Sequence, residues 1–356
     1  FGGLIFLKSF DIEKYKPQII EAASNALGRA VNFKDIDLAV SVDKGIRFHL
    51  TDFSIAENPD FGTDSFAMVK EVDAGVDIVA FLTSRQIAVP SVMVRSPQIT
   101  VIRNSAGVFN VQTLGSKTSA PSSAQVASPA VILPVIFINS FKIENAQVTF
   151  VDKAVVPELK LVVSQLTLDV QRFSLTNPFD VFIEAAVLSA EKNFSLNGKA
   201  QLVLAKRQVV FSDMDLSLDL NQFPLKKLKI LPQFAGVSLP RILEGQLKVK
   251  IREAEVSDKG VGKLSADISF NNAKFVADDL VPGISLEARR LDVSLENFSL
   301  DNVTPSQVSV KAALYQDETN LDFKGKVLFD MKKMEVRLTD GEFATDLALW
   351  PLKKLK

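Results

Sequence analysis

Apolar and polar residues alternate with a period of two through most of this chain, and no other feature limits its fold as strongly. Ile46, Phe48 and Leu50 alternate with Arg47 and His49, and Val72, Ala74 and Val76 alternate with Glu71, Asp73 and Gly75. The pattern returns in Leu166-Leu168-Val170, Leu216-Leu218-Leu220, Leu247-Val249-Ile251, Leu291-Val293-Leu295 and Val308-Val310-Ala312-Leu314. A strand turns successive side chains to opposite faces, so each segment reads as a strand with one apolar and one polar face. By that template there are roughly eighteen to twenty such segments.

Helical spacing is scarce. Asp11 to Leu27 reads as one amphipathic helix, with Ile12, Ile19, Ala23 and Leu27 on one side. Pro17 is tolerated there only in the first turn, and Gly28 is placed to end the helix. Ile78 to Thr83 and Pro224 to Phe234 read as shorter helical pieces. An amphipathic sheet normally covers its apolar face with helices or a second sheet. These few helices cannot do so, and the fold expected is mainly β: a long curved antiparallel sheet whose apolar face forms a groove.

The second half of the chain is duplicated. Asp219 to Lys229 reads DLNQFPLKKLK and Asp346 to Lys356 reads DLALWPLKKLK, 127 residues later. At the same shift Asn145-Ala146 recurs as Asn272-Ala273, Ala185-Ala186 as Ala312-Ala313, and Gly198-Lys199 as Gly325-Lys326. Phe173-Ser174-Leu175 recurs as Phe298-Ser299-Leu300 with a two-residue slip. Repeats of this length that mix strands with one short helical piece point to an extended array. Gly115 to Ala130, small and polar throughout, reads as a linker. The division expected is residues 1–10, 11–115, 116–130 (linker), 131–229 (first repeat) and 230–356 (second repeat). Because the last residues lie inside the repeated motif, the natural chain is expected to continue.

Composition narrows the chemistry. A net charge of −1 removes the electrostatic case for nucleic acid as a partner. The chain has no cysteine and one histidine, His49, which disfavours thiolate and histidine metal sites and the usual nucleophile pairs. The expectation is a non-enzyme without metal or cofactor. His49 lies on the polar parity and reads as an ordinary strand residue. Gly260-Val261-Gly262-Lys263-Leu264 fails as a phosphate loop, since Leu264 stands where Ser or Thr must reach magnesium, and reads as a hairpin. Asp35-Ile36-Asp37 and Asp213-Met214-Asp215 lack the glycine and distal Glu of a calcium loop. The Asn193, Asn297 and Asn302 sequons match chance expectation. Lys226-Lys227-Leu228-Lys229 and Lys353-Lys354-Leu355-Lys356 fit either a solvated face or contact with anionic head groups. At the start, the apolar run from Phe1 that stops at Lys8 reads as the tail of a membrane anchor, in preference to the mature end left by a signal peptidase.

Several short blocks share an order and spacing. They are Tyr15-Lys16-Pro17-Gln18-Ile19, Leu27-Gly28-Arg29-Ala30-Val31, Asn58-Pro59-Asp60-Phe61-Gly62, Pro97 to Asn104, and Gly107-Val108-Phe109-Asn110. Together they resemble the N-terminal part of the AsmA-like family. The resemblance implies an inner-membrane anchor, a periplasmic body in a two-membrane bacterium, and a repeating β-groove. It further implies phospholipid as the ligand, a role in lipid transport between the membranes or outer-membrane homeostasis, and a partner protein at the outer membrane or in the periplasm. On the parity argument the groove-lining residues are Phe48, Leu50, Val72, Val76, Leu168, Val170, Leu218, Val249, Val293 and Leu295. The other reading of the same sheet is an assembly factor of the envelope that binds proteins through its edges.

Overall fold

The computed structural model describes residues 12–41, 45–77, 87–115, 136–222, 242–257, 260–276, 285–299, 304–330 and 335–350. The anchor segment, most of the linker, the two shorter helical pieces and both lysine clusters lie outside these residues. The chain divides into two compact units, Phe1–Phe173 and Ser174–Lys356.

In the first unit a 3-10 turn, Ile12–Tyr15, leads into α1, Lys16–Leu27. Pro17 occupies its first turn, and Gly28 ends it at φ 66°, a left-handed conformation that costs glycine nothing. Strands β1 (Val31–Asn32), β2 (Asp35–Ser41), β3 (Gly45–Ala56) and β4 (Ser65–Val76) follow. They are succeeded by β5 (Ile87–Val89), β6 (Val92–Arg95), β7 (Gln98–Arg103), β8 (Ile136–Ile138), β9 (Ser140–Asp152) and β10 (Leu159–Gln171). Strand β3 pairs antiparallel with β1, β2 and β4, β4 with β6 and β7, and β9 with β10.

The antiparallel expectation holds for most of the structure, with two departures: β9 runs parallel to β6 and β7, and β5 parallel to β8. Parallel neighbours need a long crossover, and the stretch between Arg103 and Ile136 supplies the length. The unit therefore includes β9 and β10, strands that the sequence division assigns to the first repeat.

A buried polar knot fastens this unit. Arg29 Nη1 lies 3.0 Å from Glu57 Oε1, with both side chains 2% exposed. Arg29 Nη2 donates to the Asn110 carbonyl at 2.5 Å and to Thr113 Oγ1 at 2.7 Å. Asn110 Nδ2 donates to Glu57 Oε2 at 2.5 Å, and its Oδ1 accepts from the Ile102 amide at 2.9 Å. The guanidinium also stacks 4.7 Å from the Phe66 ring. The blocks that carry the family resemblance, around Arg29, Asn58, Pro97–Asn104 and Asn110, thus converge in space.

The second unit is a run of antiparallel neighbours. Its strands are β11 (Phe179–Val187), β12 (Phe194–Val203), β13 (Gln208–Asp219), β14 (Ile242–Ser257) and β15 (Gly260–Val276). They continue with β16 (Ser285–Phe298), β17 (Ser306–Leu314), β18 (Leu321–Asp330) and β19 (Glu335–Thr345). Each pairs with the next.

The duplication in the sequence reappears element by element. Strands β17 and β18 begin and end 127 residues after β11 and β12, and the 3-10 turn Leu347–Leu349 stands 127 after Leu220–Gln222. Side-chain roles repeat as well. Asn193 Oδ1 accepts from the Val187 amide at 2.8 Å while its Nδ2 donates to the Val187 carbonyl at 3.2 Å. Asn320 does the same with Leu314, at 2.9 and 3.0 Å. Each carboxamide closes a wide turn whose backbone groups would otherwise lack partners. Ala185 and Ala186, like Ala312 and Ala313, are buried at these turns.

Candidate functional site

Directly opposed residues on neighbouring strands project to the same side of a sheet, so the strand registers sort the predicted lining residues by face. In the first unit one row runs Ile36, Leu50, Val72, Val94, Ile143, Leu168 across β2, β3, β4, β6, β9 and β10. The adjacent row runs Leu38, Phe48, Ala74, Val92, Phe141, Val170. Val76 stands opposite Ile46 on the same side. All six predicted residues of this unit therefore share one face, and every one is half-buried.

The second unit repeats the arrangement over more strands. Its central row is Ile183, Leu196, Leu216, Val249, Ile268, Val293, Val310, Phe323, Phe343, one residue from each of nine strands. On one flank lie Phe194, Leu218, Leu247, Phe270, Leu291, Ala312 and Leu321. On the other lie Met214, Ile251, Ala266, Leu295 and Val308. Leu218, Val249, Val293 and Leu295 are thus neighbours in one apolar field. The central row is half-buried except Phe343, which is 63% exposed.

Among the described residues of this unit, no helix longer than three residues and no second sheet is present to form a layer over this field. One end of it is closed by small and aromatic groups. Phe270, Leu291, Leu321 and Trp350 pack against Ala273, Ala288, Ala312 and Leu314, and Trp350 Nε1 donates to Thr345 Oγ1 at 2.8 Å. Sequence parity did not reveal this closure.

The opposite faces carry the charge. In the first unit His49 Nδ1 lies 2.7 Å from Asp73 Oδ1, and Arg95 binds Asp73, Glu71 at 3.2 Å and Glu144 at 3.7 Å. Lys142 meets Glu144 at 2.7 Å. Burial raises the Asp73 carboxyl, but the hydrogen bonds and charges of His49 and Arg95 outweigh it and hold the group below the usual carboxylate range. His49 is one rung of this ladder.

In the second unit the polar face forms a concavity of about 600 Å³ lined by Lys248, Lys250 and Lys311 together with Asp215, Asp267 and Asp292. Two of its aspartates are held by neighbouring side chains. Ser294 donates to Asp267 at 2.6 Å, Ser269 to Asp292 at 2.7 Å, and Arg252 meets Asp267 at 2.5 Å. The Ser294 hydrogen bond, aided by Arg252 and opposed by burial, keeps the Asp267 carboxyl low. Among the described residues, no group of three or more His, Asp or Glu could hold a metal ion. Ser257 and Gly260 are cross-strand partners, which makes Gly260-Val261-Gly262 the start of β15 after a hairpin. Asn193, whose sequon matches chance expectation, is the buried clamp described above.

The sequence was compared with known families and with curated proteins. The AsmA family model matches residues 3–251, more than half of the chain. No curated protein matches it.

Proposed function

Because this chain belongs to the AsmA family, and so to the proteins of the cell envelope, we propose that its apolar faces hold phospholipid acyl chains. In this reading the body stands in the periplasm, anchored at the inner membrane by its N-terminal segment. It supports lipid movement between inner and outer membrane, handing lipid to an outer-membrane or periplasmic partner protein, and performs no catalysis. Among the described residues no helix is long and apolar enough to cross a membrane.

The observation that carries this reading is the nine-residue apolar row of β11 to β19 with an apolar row on each flank. Ordinary core is covered by a second layer. Here the side chains shelter one another along the rows and leave part of their surface for a ligand. Strands about 4.8 Å apart make the nine-strand row about 38 Å long. An acyl chain of about sixteen carbons laid on such a surface gains on the order of 10 kcal/mol, at about 0.8 per CH₂, before ordering costs. The rows offer no polar clamp, so binding follows tail length more than head group, and a tail can slide from one strand to the next.

The test is native mass spectrometry of detergent-free protein paired with two substitutions. Val293→Asp sets a carboxylate in the central row, where it must be desolvated or protonated. Ser309→Asp places the same group on the polar face, between Ser294 and Lys324. Co-purified phospholipid is expected in the parent and in Ser309→Asp and lost from Val293→Asp. Equal lipid in all three folded proteins rejects the proposal.

A further inference from the structure

The turns at the two ends of the second unit differ in chemistry. At one end lie the connection that precedes β11, the hairpin between β12 and β13, and the hairpin between β14 and β15. They are neighbours. Gln201 Nε2 donates to the Thr176 carbonyl at 3.3 Å, and Gln208, which opens β13, stands opposite both Val203 and Ser257. Each turn carries or adjoins an exposed large apolar side chain: Leu175 at 44%, Leu204 at 63% and Val261 at 36%. Leu204 belongs to the 3-10 turn Leu204–Lys206, so Lys206 and Arg207 share its tip. Both are exposed, and neither meets an acidic side chain among the described residues. The carboxylates at this end of β14 are engaged elsewhere, Glu253 with Lys263 at 3.0 Å and Glu255 with Gln208 Nε2 at 2.6 Å.

The apolar field runs out to these tips. Ala200, Phe211, Ala254 and Leu264 continue it in register, and Leu202, Val209, Val256 and Val261 form the last row. The turns at the opposite end are built otherwise. Those between β11 and β12 and between β17 and β18 are closed by Asn193 and Asn320. They carry Glu191, Asp317 and Glu318, and Leu188 and Tyr315 within them are half-buried. Lys192 is bound to Glu184 at 2.7 Å. An anionic surface is therefore attracted to the first end and repelled by these turns of the second.

We propose that the end formed by the turns at Leu175, Leu204 and Val261 docks on the surface of an anionic lipid bilayer. The exposed aliphatic side chains gain burial at the boundary between head groups and acyl chains, and Lys206 and Arg207 meet the lipid phosphates. Docking stands apart from the holding of acyl chains by the apolar face. Lipid that co-purifies with the protein tests that reading without any vesicle, so either can fail alone.

The chain has no cysteine, so a single introduced one can carry an environment-sensitive fluorophore. The full chain is labelled at Ala205→Cys, next to Leu204, and separately at Glu191→Cys, at the opposite end. With phosphatidylglycerol vesicles the label at position 205 should brighten and shift to shorter wavelength, while the label at position 191 stays unchanged. Phosphatidylcholine vesicles should give a much weaker response at position 205. Lys206→Gln with Arg207→Gln should raise the phosphatidylglycerol concentration needed by about thirtyfold, and Leu204→Ser by about tenfold. The label reports the tip itself, so attachment through another part of the chain does not imitate it. No shift at position 205 overturns the proposal, as do equal shifts at both positions. Equal responses to the two lipids, or a response that ignores the loss of both cations, overturn it as well.

Discussion

Replacing Glu57 by Ala should destabilise the first unit more than any surface change of similar size. The carboxylate and the Arg29 guanidinium are each 2% exposed and 3.0 Å apart, so water cannot take the place of either partner. The substitution leaves a buried cation without its counter-charge. It also removes the acceptor of the Asn58 amide at 2.7 Å and of Asn110 Nδ2 at 2.5 Å. Breaking one side of a buried ion pair costs about 3–5 kcal/mol, against a total stability of about 5–15 kcal/mol for a typical domain. The assay is urea unfolding followed by circular dichroism, with amide exchange at Arg29 to Val31 as a reporter local to this unit. Removing both charges, Arg29→Met with Glu57→Leu, should cost clearly less than the sum of the single changes, because no lone buried charge remains. A loss below about 1 kcal/mol for Glu57→Ala would refute the reasoning, since the pair would then be hydrated or dispensable.

Asn320→Ala removes both hydrogen bonds of the second turn clamp and should cost about 1–3 kcal/mol, with Asn193→Ala giving a similar loss in the first copy; urea midpoints measure both. Asp73 and Asp267 are held below the usual carboxylate range, so the stability they contribute is complete above their unfolded values and lost as pH falls through the folded ones. Unfolding midpoints measured between about pH 5 and pH 2 should fall steadily, and Asp73→Asn should flatten that acid limb. Enlarging Gly198 to Ala should destabilise, because a Cβ there would lie 2.4 Å from Met214 Sδ and 2.7 Å from the Asp213 carbonyl; thermal unfolding reads the loss.

Strand parity was legible in the sequence because it is local. Two residues of spacing decide which face Val293 or Phe48 takes, and within a strand only a bulge, such as the one around Gln165 in β10, shifts the pattern. The registers extend each assignment across its unit, and the ten predicted lining residues fall on one apolar face in each. The 127-residue repeat was legible for a similar reason, since strands of equal length and turns of equal chemistry leave equal spacings.

What the sequence concealed is non-local. Arg29, Glu57 and Asn110 meet across separations of 28 to 81 residues, with no period to announce them; only the resemblance blocks hinted that these stretches matter. The parallel seating of β9 against β6 and β7 depends on a crossover whose route the alternation does not encode. Asn193 and Asn320 are ordinary polar letters until the turn that each closes is seen.

Site-specific photocrosslinking tests the central claim most directly. A photoreactive amino acid is placed in turn at Val249 and Val293 on the apolar face, and at Lys250 and Ser309 on the polar face, in cells labelled with radioactive phosphate. The account predicts labelled phospholipid adducts at Val249 and Val293 and none at Lys250 or Ser309. Adducts of equal intensity on both faces, or adducts at Lys250 and Ser309 alone, would contradict it.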